Sequence, residues 1–253
     1  RLSLVGSEMC IRDSLNIIIK KRKDGQIVEF DIKKDNELQD FTRLGTGSLG
    51  GKARGLAFAK NLISNIETGK RDKNTLIRIP MIAVIGTDEF DRFMKENDLN
   101  KIAFSKNKID KDIISKFLKG EISSKLKNTL SKFLDKMRSP LAIRSSSLLE
   151  DSQYQPLSGM YATYMLPNSN RSKTKRLNEL IKAIKLVYAS TYLKEPSSLI
   201  EKSVHRHEEE KMAVIIMELI GKKHQDRFYP SASGLAQSYN YYPVSYMKRN
   251  EGV

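Results

Sequence analysis

Residues 141–151 read Leu-Ala-Ile-Arg-Ser-Ser-Ser-Leu-Leu-Glu-Asp, and residues 157–164 read Leu-Ser-Gly-Met-Tyr-Ala-Thr-Tyr. The first segment is a short apolar run that ends at Arg144 and is followed by three serines and two carboxylates. A guanidinium binds phosphate oxygens through two parallel hydrogen bonds, and backbone N–H groups beside Ser and Gly can point at an anion. The pattern indicates a phosphate-binding arginine with Ser145 beside it. From residue types alone, a strand followed by a turn and a solvated loop is the alternative.

A glycine-rich segment lies upstream, where residues 44–55 read Leu-Gly-Thr-Gly-Ser-Leu-Gly-Gly-Lys-Ala-Arg-Gly. It precedes a predicted helix with an apolar face of Leu56, Ala59, Leu62 and Ile63. A glycine-rich loop before a helix N-terminus favours anions, because the first amides and the helix dipole both present positive charge. The segment is not a P-loop, since the Gly-Lys pair is followed by Ala and not by Ser or Thr. A flexible loop without a ligand is the alternative.

The remaining pattern predicts an intermixed set of strands and helices. Residues 15–33 read as a β-hairpin around a Lys-Asp-Gly turn, and residues 35–43 as a polar connector. A helix capped by Thr87 follows a buried strand. Mixed strands and helices place the chain among α/β or α+β folds. Strands are predicted at 76–86, 140–143 and 212–219, helices at 110–119, 123–137 and 173–193, and a turn leading into another strand at 231–242.

The composition limits the classes of partner. The formal net charge is +15, with 30 lysines and 15 arginines among 253 residues. A positive field favours an anionic ligand such as a nucleotide, and a nucleic-acid-binding domain is a less favoured alternative. The lysines are spread along the chain and there is no Trp, whereas single-stranded nucleic acids bind to clustered cations and aromatic rings. No window approaches the ~20 apolar residues of a membrane span, so no membrane association is expected.

The first fourteen residues resemble a translated sequencing adapter. Residues 3–14 read Ser-Leu-Val-Gly-Ser-Glu-Met-Cys-Ile-Arg-Asp-Ser, and residues 8–13 can be encoded by GAG ATG TGT ATA AGA GAC, the transposase end used in DNA library preparation. We therefore expect residues 1–14 to be non-native and the chain to be a fragment open at both ends. The single cysteine, Cys10, lies in this segment. A chain without disulfides fits a reducing compartment, which predicts a cytoplasmic protein.

Several segments, in the same order along residues 44–243, resemble the motifs of one family. They are 49–56, 79–87, 142–151, 158–164, 212–218 and 233–236. The family is that of phosphoenolpyruvate synthase and pyruvate phosphate dikinase, and the similar part is its N-terminal ATP-binding domain. The resemblance implies an α+β, ATP-grasp-like domain of two lobes over residues 44–253, incomplete at the C-terminus. Residues 15–43 then belong to a truncated upstream region.

The resemblance also implies residue roles. Lys52 contacts the ATP phosphates and Arg144 clamps the β and γ phosphates, which makes these two the implied catalytic residues. No metal ligand is implied within the chain, because the Mg²⁺ ligands are expected beyond Val253. The other implied nucleotide contacts are Ser145, Ser158, Gly159 and Thr163 at the phosphates, and Glu218, Leu219 and Ile220 at adenine and ribose.

The implied function is that of a phosphotransferase fragment. In the whole protein, ATP phosphorylates a histidine on a swivelling domain in the same chain, and the phosphate passes to pyruvate or another acceptor. That histidine domain is not expected within these residues, so the fragment alone is expected to be inactive. Residues 237–243 read Gln-Ser-Tyr-Asn-Tyr-Tyr-Pro and depart from the family pattern, which indicates a divergent subfamily. A non-catalytic nucleotide-sensing module of a signalling protein is the alternative.

Overall fold

The computed structural model describes residues 28–29, 41–65, 77–105, 109–147, 160–194, 196–197, 210–234, 239–240, 243 and 246–250. The chain divides into two compact units, Arg1–Leu219 and Ile220–Val253. Within the described residues, the first unit contains a six-stranded mixed sheet and six helices. The predicted α+β class is therefore confirmed.

The sheet of the first unit has the strand order β1-β2-β3-β6-β4-β5. The first three strands pair in parallel, and the pairs β3–β6, β6–β4 and β4–β5 are antiparallel. β3 is buried along its whole length and β6 from Met212 to Ile216, as expected for strand segments that are covered on both sides. The strands are β1 (Val28–Glu29), β2 (Phe41–Leu44), β3 (Ile82–Ile85), β4 (Leu141–Ser147), β5 (Thr163–Leu166) and β6 (Met212–Glu218).

The predicted helices at 110–119, 123–137 and 173–193 are confirmed, with ends within a few residues of those expected. Two of them begin at a serine cap: Ser123 Oγ accepts from the Leu126 amide, and Ser172 Oγ accepts from the Lys175 amide. The described helices are α1 (Gly50–Asn65), α2 (Thr87–Glu96), α3 (Asn100–Ala103), α4 (Asp110–Lys119), α5 (Ser124–Lys136) and α6 (Lys173–Ser190).

Two hydrophobic clusters lie on opposite faces of the sheet, because successive strand residues point to opposite sides. The main cluster packs alternate residues of β3, β4 and β6 against helices α2 to α6 and includes the aromatic contacts of Phe90 with Tyr188 and Tyr192. The other face carries a smaller cluster beneath α1. Among the described helices, α1 is the one that contributes residues to this cluster. Its buried members are Phe41, Leu49, Ala53, Ile82, Val84, Ala213 and Ile215.

Three expectations about strands are wrong in part. The connector at 35–43 ends in a strand, because Phe41–Leu44 form β2 and hydrogen-bond to β3. The strand expected at 76–86 is limited to Ile82–Ile85, and residues 77–81 have no regular structure. The strand expected at 140–143 continues to Ser147, because Ser145, Ser146 and Ser147 pair with β6 and are buried.

Two expectations about helices also need correction. Thr87 is the first residue of α2 and not its cap. Gly86 occupies the cap position, so no side chain caps this helix. The apolar face predicted for α1 is wrong at two positions. Ala53 is buried but was not predicted to belong to this face, and Leu62 was predicted to belong to it but is 50% exposed. Most of the hairpin predicted at 15–33, and all of residues 1–14, lie outside the described residues.

The second unit contains a two-stranded hairpin of β7 (Lys222–His224) and β8 (Arg227–Tyr229). The His224 and Tyr229 rings stack at 4.1 Å. The sequence pattern did not predict this hairpin. Residues 231–234 and 239–240 have no regular structure, and the rest of the strand-forming segment predicted at 231–242 lies outside the described residues. No helix within the described ranges has the length and apolar character needed to span a membrane.

Candidate phosphate and nucleotide site

The glycine-rich loop, residues 45–50, joins β2 to α1 and needs glycine at three positions. Gly45, Gly47 and Gly50 all have positive φ, between 75° and 86°, which side chains rarely adopt. A Cβ on Gly50 would overlap the backbone carbonyl of Ser146 on β4. Glycine therefore allows the start of α1 to approach the sheet at backbone contact distance.

Ser146 joins α1 to β4 through its buried hydroxyl. Ser146 Oγ donates to the Leu49 carbonyl at 2.7 Å and accepts from the Ala53 amide at 3.0 Å. The Ala53 amide is in the first turn of α1, where backbone donors have no partner inside the helix. One serine therefore fixes both the end of the glycine-rich loop and the first helical turn onto the sheet.

The other side of the glycine-rich loop is bonded to the start of α2. The Thr87 amide donates to the Ser48 carbonyl at 3.0 Å, and the Ser48 amide donates to Thr87 Oγ1 at 2.9 Å. Thr46 Oγ1 donates to Asp88 Oδ2 at 2.9 Å. The Thr87 hydroxyl that was expected to cap its own helix is thus used to hold this loop.

Lys52 and Arg144, the two predicted cations, come from different elements, and Lys52 contacts the residue that follows Arg144 on β4. Lys52 is in the first turn of α1, and its Nζ donates to Ser145 Oγ at 3.3 Å. Arg144 alternates with Ile143, which faces the main cluster, so its side chain lies on the α1 face. Within the described part of the chain, the half-buried Arg144 guanidinium has no hydrogen bond or ion pair.

The charges around these cations favour an anion. The first turn of α1 contains no acidic residue, and the helix N-terminus adds positive potential beside Lys52. Thr163 on β5 is exposed and pairs in register with Arg144, so its hydroxyl lies on the same face. Ser145 is fully buried, pairs with Val214 of the main cluster and accepts from Lys52 Nζ, so its side chain alternates with that of Arg144. The described arrangement can bind a phosphate group from above the sheet.

At the other end of β4 and β6, a strand-end cluster is formed by Met81, Ser139, Pro140, Glu218 and Leu219. The Glu218 carboxylate accepts from Ser139 Oγ at 2.9 Å and, at 3.5 Å, from the Met81 amide. The amides of Glu218 and Leu219 donate to the carbonyls of Met81 and Pro140, both at 2.9 Å. These hydrogen bonds fix the direction in which the chain leaves β6.

An apolar strip lies between the cations and the strand-end cluster. Ala142 pairs with Met165 on one side and with Met217 on the other, and all three share the face of Arg144. Met165 is 61% exposed. Glu218 pairs with Leu141, three residues from Arg144, so the strip is about 10 Å long at the usual rise of a strand. Sequence reasoning missed Met165 and Met217, although Met165 follows Thr163 at the spacing of one strand face.

The structure thus places six of the predicted residues in two groups. Thr163 pairs with Arg144, and Lys52 contacts Ser145, the next residue of β4. Glu218 and Leu219 lie at the other end of the apolar strip. Ile220 is the first residue of the second unit, and Ser158 and Gly159 lie outside the described residues. The described ranges contain no group of three His, Cys, Asp or Glu residues that could hold a metal ion.

These features agree with the sequence family that the chain matches. Residues 46–251 match the AMP/ATP-binding domain of pyruvate phosphate dikinase, and the chain belongs to this family. A relative in Bacillus subtilis (strain 168), the uncharacterized phosphotransferase YvkC, is 28% identical over 142 residues. The match covers 56% of this chain and 16% of that relative.

Proposed function

We propose that this chain is the ATP-binding part of a phosphotransferase similar to phosphoenolpyruvate synthase, with an ATP-grasp-like fold. The observation that carries the proposal is the position of Arg144 at one end of an open apolar strip, with Lys52 bonded to the neighbouring Ser145. A nucleotide has the matching chemistry, since it carries an anionic chain at one end and a flat, largely apolar base at the other. The family match supports the same assignment.

At the phosphate end, the protein's contribution is positioning and charge. Phosphoryl transfer passes through a loose transition state in which negative charge develops on the phosphate oxygens. Arg144 is suited to bind two of these oxygens side by side, and Lys52 provides a point charge that is hydrogen-bonded to Ser145. Because α1 and β4 are joined at Ser146, the backbones that carry Lys52 and Arg144 are fixed relative to each other, which favours a preorganised arrangement of charge. Thr163 and the predicted residues Ser158 and Gly159 complete the phosphate contacts.

At the base end, the adenine ring lies on the strip of Ala142, Met165 and Met217, where methionine side chains adapt to a flat ring. The predicted contacts to adenine and ribose then come from the chain at Glu218, Leu219 and Ile220. Since the amides of Glu218 and Leu219 donate within the protein, their carbonyl oxygens are the backbone groups that we assign to the base.

Mg²⁺ is the ion that this family chemistry implies, and it would neutralise charge between neighbouring phosphates when bound. The described residues provide no carboxylate cluster for it. We therefore assign no step to a metal and place its protein ligands outside the described residues.

The whole protein's reaction extends this proposal. A phosphoryl group from ATP is transferred to a histidine of a separate domain and then to pyruvate or another acceptor in the cytoplasm. The name of the Bacillus subtilis relative, a phosphotransferase, supports this class of reaction.

The test is ATP binding by Arg144→Ala, measured by calorimetry with Mg²⁺ present. Loss of a charge-assisted bidentate contact is expected to raise the Kd for ATP at least about tenfold. Arg171→Ala is the matched control, because Arg171 is exposed and lies just before α6, away from the sheet face that carries Arg144. Equal ATP affinity for Arg144→Ala and the wild-type chain would contradict the assignment.

A further inference from the structure

The turn at residues 137–140 connects α5 to β4 and provides two of the contacts in the strand-end cluster. Ser139 Oγ donates to the Glu218 carboxylate, and the Pro140 carbonyl accepts from the Leu219 amide. A shift of this turn therefore moves the end of β6 with it.

Asn168 binds the same turn from the opposite side. Its Nδ2 donates to the Ser139 carbonyl at 2.9 Å and to the Met137 carbonyl at 3.1 Å. Asn168 is 5% exposed and has φ of 51°, in the left-handed region that asparagine tolerates better than most residues. The chain thus adopts an unusual conformation at the position where this amide reaches both carbonyls.

Arg176 completes the set from α6, with only 1% of its surface exposed. Its Nη1 lies 3.2 Å from Asn168 Oδ1, 3.2 Å from the Leu134 carbonyl and 3.3 Å from the Met137 carbonyl. The two carbonyls are at the C-terminal end of α5, where the helix dipole favours a cation. All three contacts involve Nη1, while Nε and Nη2 are buried and have no hydrogen-bond partner among the described residues. Arg176 therefore acts through Nη1 on both the end of α5 and the orientation of the Asn168 amide.

We propose that Asn168 and Arg176 are positioning residues for the base end of the nucleotide site. They hold the turn at 137–140, and the turn sets the position of Glu218 and Leu219 through Ser139 and Pro140. In this arrangement the Glu218 carboxylate stabilises the end of β6, and the backbone at that end recognises the base. The inference rests on the proposed ATP-binding function and adds the residues that set base recognition.

The first test compares ATP with inorganic tripolyphosphate, which carries the phosphates without a base. Asn168→Gly removes the amide and keeps the positive φ without strain. Asp98→Gly is the control, because Asp98 also has a positive φ, of 47°, and is exposed. Both Kd values are measured by calorimetry with Mg²⁺ present. We expect Asn168→Gly and Ser139→Ala to raise the Kd for ATP about tenfold, which is the effect of about one lost hydrogen bond. The Kd for tripolyphosphate should change less than about twofold in the same variants. Equal losses for both ligands, or no loss for ATP, would overturn the proposal.

Arg176→Lys and Ser139→Thr extend this test. A lysine keeps the charge but cannot reproduce the geometry of a guanidinium, so we expect the same selective loss of ATP affinity, smaller in size. Threonine keeps the hydroxyl at position 139 and is expected to restore ATP affinity to within about twofold of wild type. Failure of the threonine variant to restore binding would exclude the Ser139–Glu218 contact as the link.

A second measurement separates this inference from the proposed function. Amide hydrogen exchange at Glu218 and Leu219, without nucleotide, reports the hydrogen bonds of the strand-end cluster directly. We expect exchange at least about tenfold faster in Asn168→Gly and Ser139→Ala, and unchanged in Asp98→Gly. If the wild-type chain does not bind ATP, the proposed function is rejected, but the exchange rates still test whether Asn168 and Ser139 hold the end of β6. Unchanged exchange rates in the two variants would reject the positioning role.

Discussion

The two faces of the central sheet differ in how much they are covered. One face packs against helices α2 to α6 in a large cluster, whereas the other carries α1, a small cluster and the open strip beside Arg144. The open face also holds Arg144 and the exposed Met165. The comparison indicates that stability depends mainly on the first face, and the second is the face on which we propose that the ligand binds, although both are built from alternate residues of the same strands.

The largest expected effect follows from truncating one apolar side chain on each face. Leu180→Ala on the covered face removes a fully buried side chain and is expected to lower the free energy of unfolding by about 3 kcal/mol. Met165→Ala on the open face should change it by less than about 0.5 kcal/mol, because this side chain is mostly exposed. Urea unfolding followed by circular dichroism gives both values. Similar losses for the two variants would contradict the division between the faces.

A second pair of variants tests the contact between α1 and the open face. Gly50→Ala places a methyl group on the Ser146 carbonyl at positive φ and is expected to lower the free energy of unfolding by about 2 kcal/mol or more. Gly55→Ala, in the same helix, has no atom within 4 Å of the added methyl group and should raise stability by about 0.5–1 kcal/mol. The same denaturation measurement applies, and opposite signs are the expected result. A stable Gly50→Ala variant would show that the start of α1 can move away from β4.

A smaller effect is expected from Tyr188 in the main cluster. Its hydroxyl is buried and, among the described residues, has no hydrogen-bond partner. Tyr188→Phe is therefore expected to raise the free energy of unfolding by about 1 kcal/mol at neutral pH. A loss of stability in this variant would indicate that the hydroxyl makes a hydrogen bond elsewhere.

Tyr188 also affects the dependence of stability on pH. Burial raises its pKa, and the nearby carboxylates of Glu89, Asp88 and Asp91 raise it further. The folded state therefore keeps the neutral phenol, while the unfolded chain ionises it near pH 10. Stability from this group is complete below pH 10 and is lost as the pH rises above it. Between about pH 8 and pH 11, the free energy of unfolding should fall less steeply in Tyr188→Phe than in wild type. The difference between the two slopes should be about that of one titrating group.

Much of the covered face could be predicted from the sequence because its signals are local. Helices α4, α5 and α6 have apolar residues at helical spacing and, in two cases, a serine cap. These patterns predict the first and last residues of the three helices to within a few residues. Because segments with continuous apolar runs, typical of strands, lie between the helices, the sequence also predicts the α+β class.

The open face was less predictable because its contacts are long-range. Serine is not favoured in strands, so β4 was expected to end at Arg144, yet Ser145 and Ser146 are buried by partners on α1. Thr87 has the sequence context of a cap and instead bonds Ser48, which lies in the glycine-rich loop. Lys52 and Arg144 were predicted from the sequence as site residues, but the contact of Lys52 with β4 depends on these long-range interactions.

The link at Ser146 has a consequence for the relative movement of α1 and β4. Because one hydroxyl bonds both Leu49 and Ala53, a displacement of the first turn of α1 is coupled to a displacement of β4. The backbone positions from which the Lys52 and Arg144 side chains extend are therefore expected to change together.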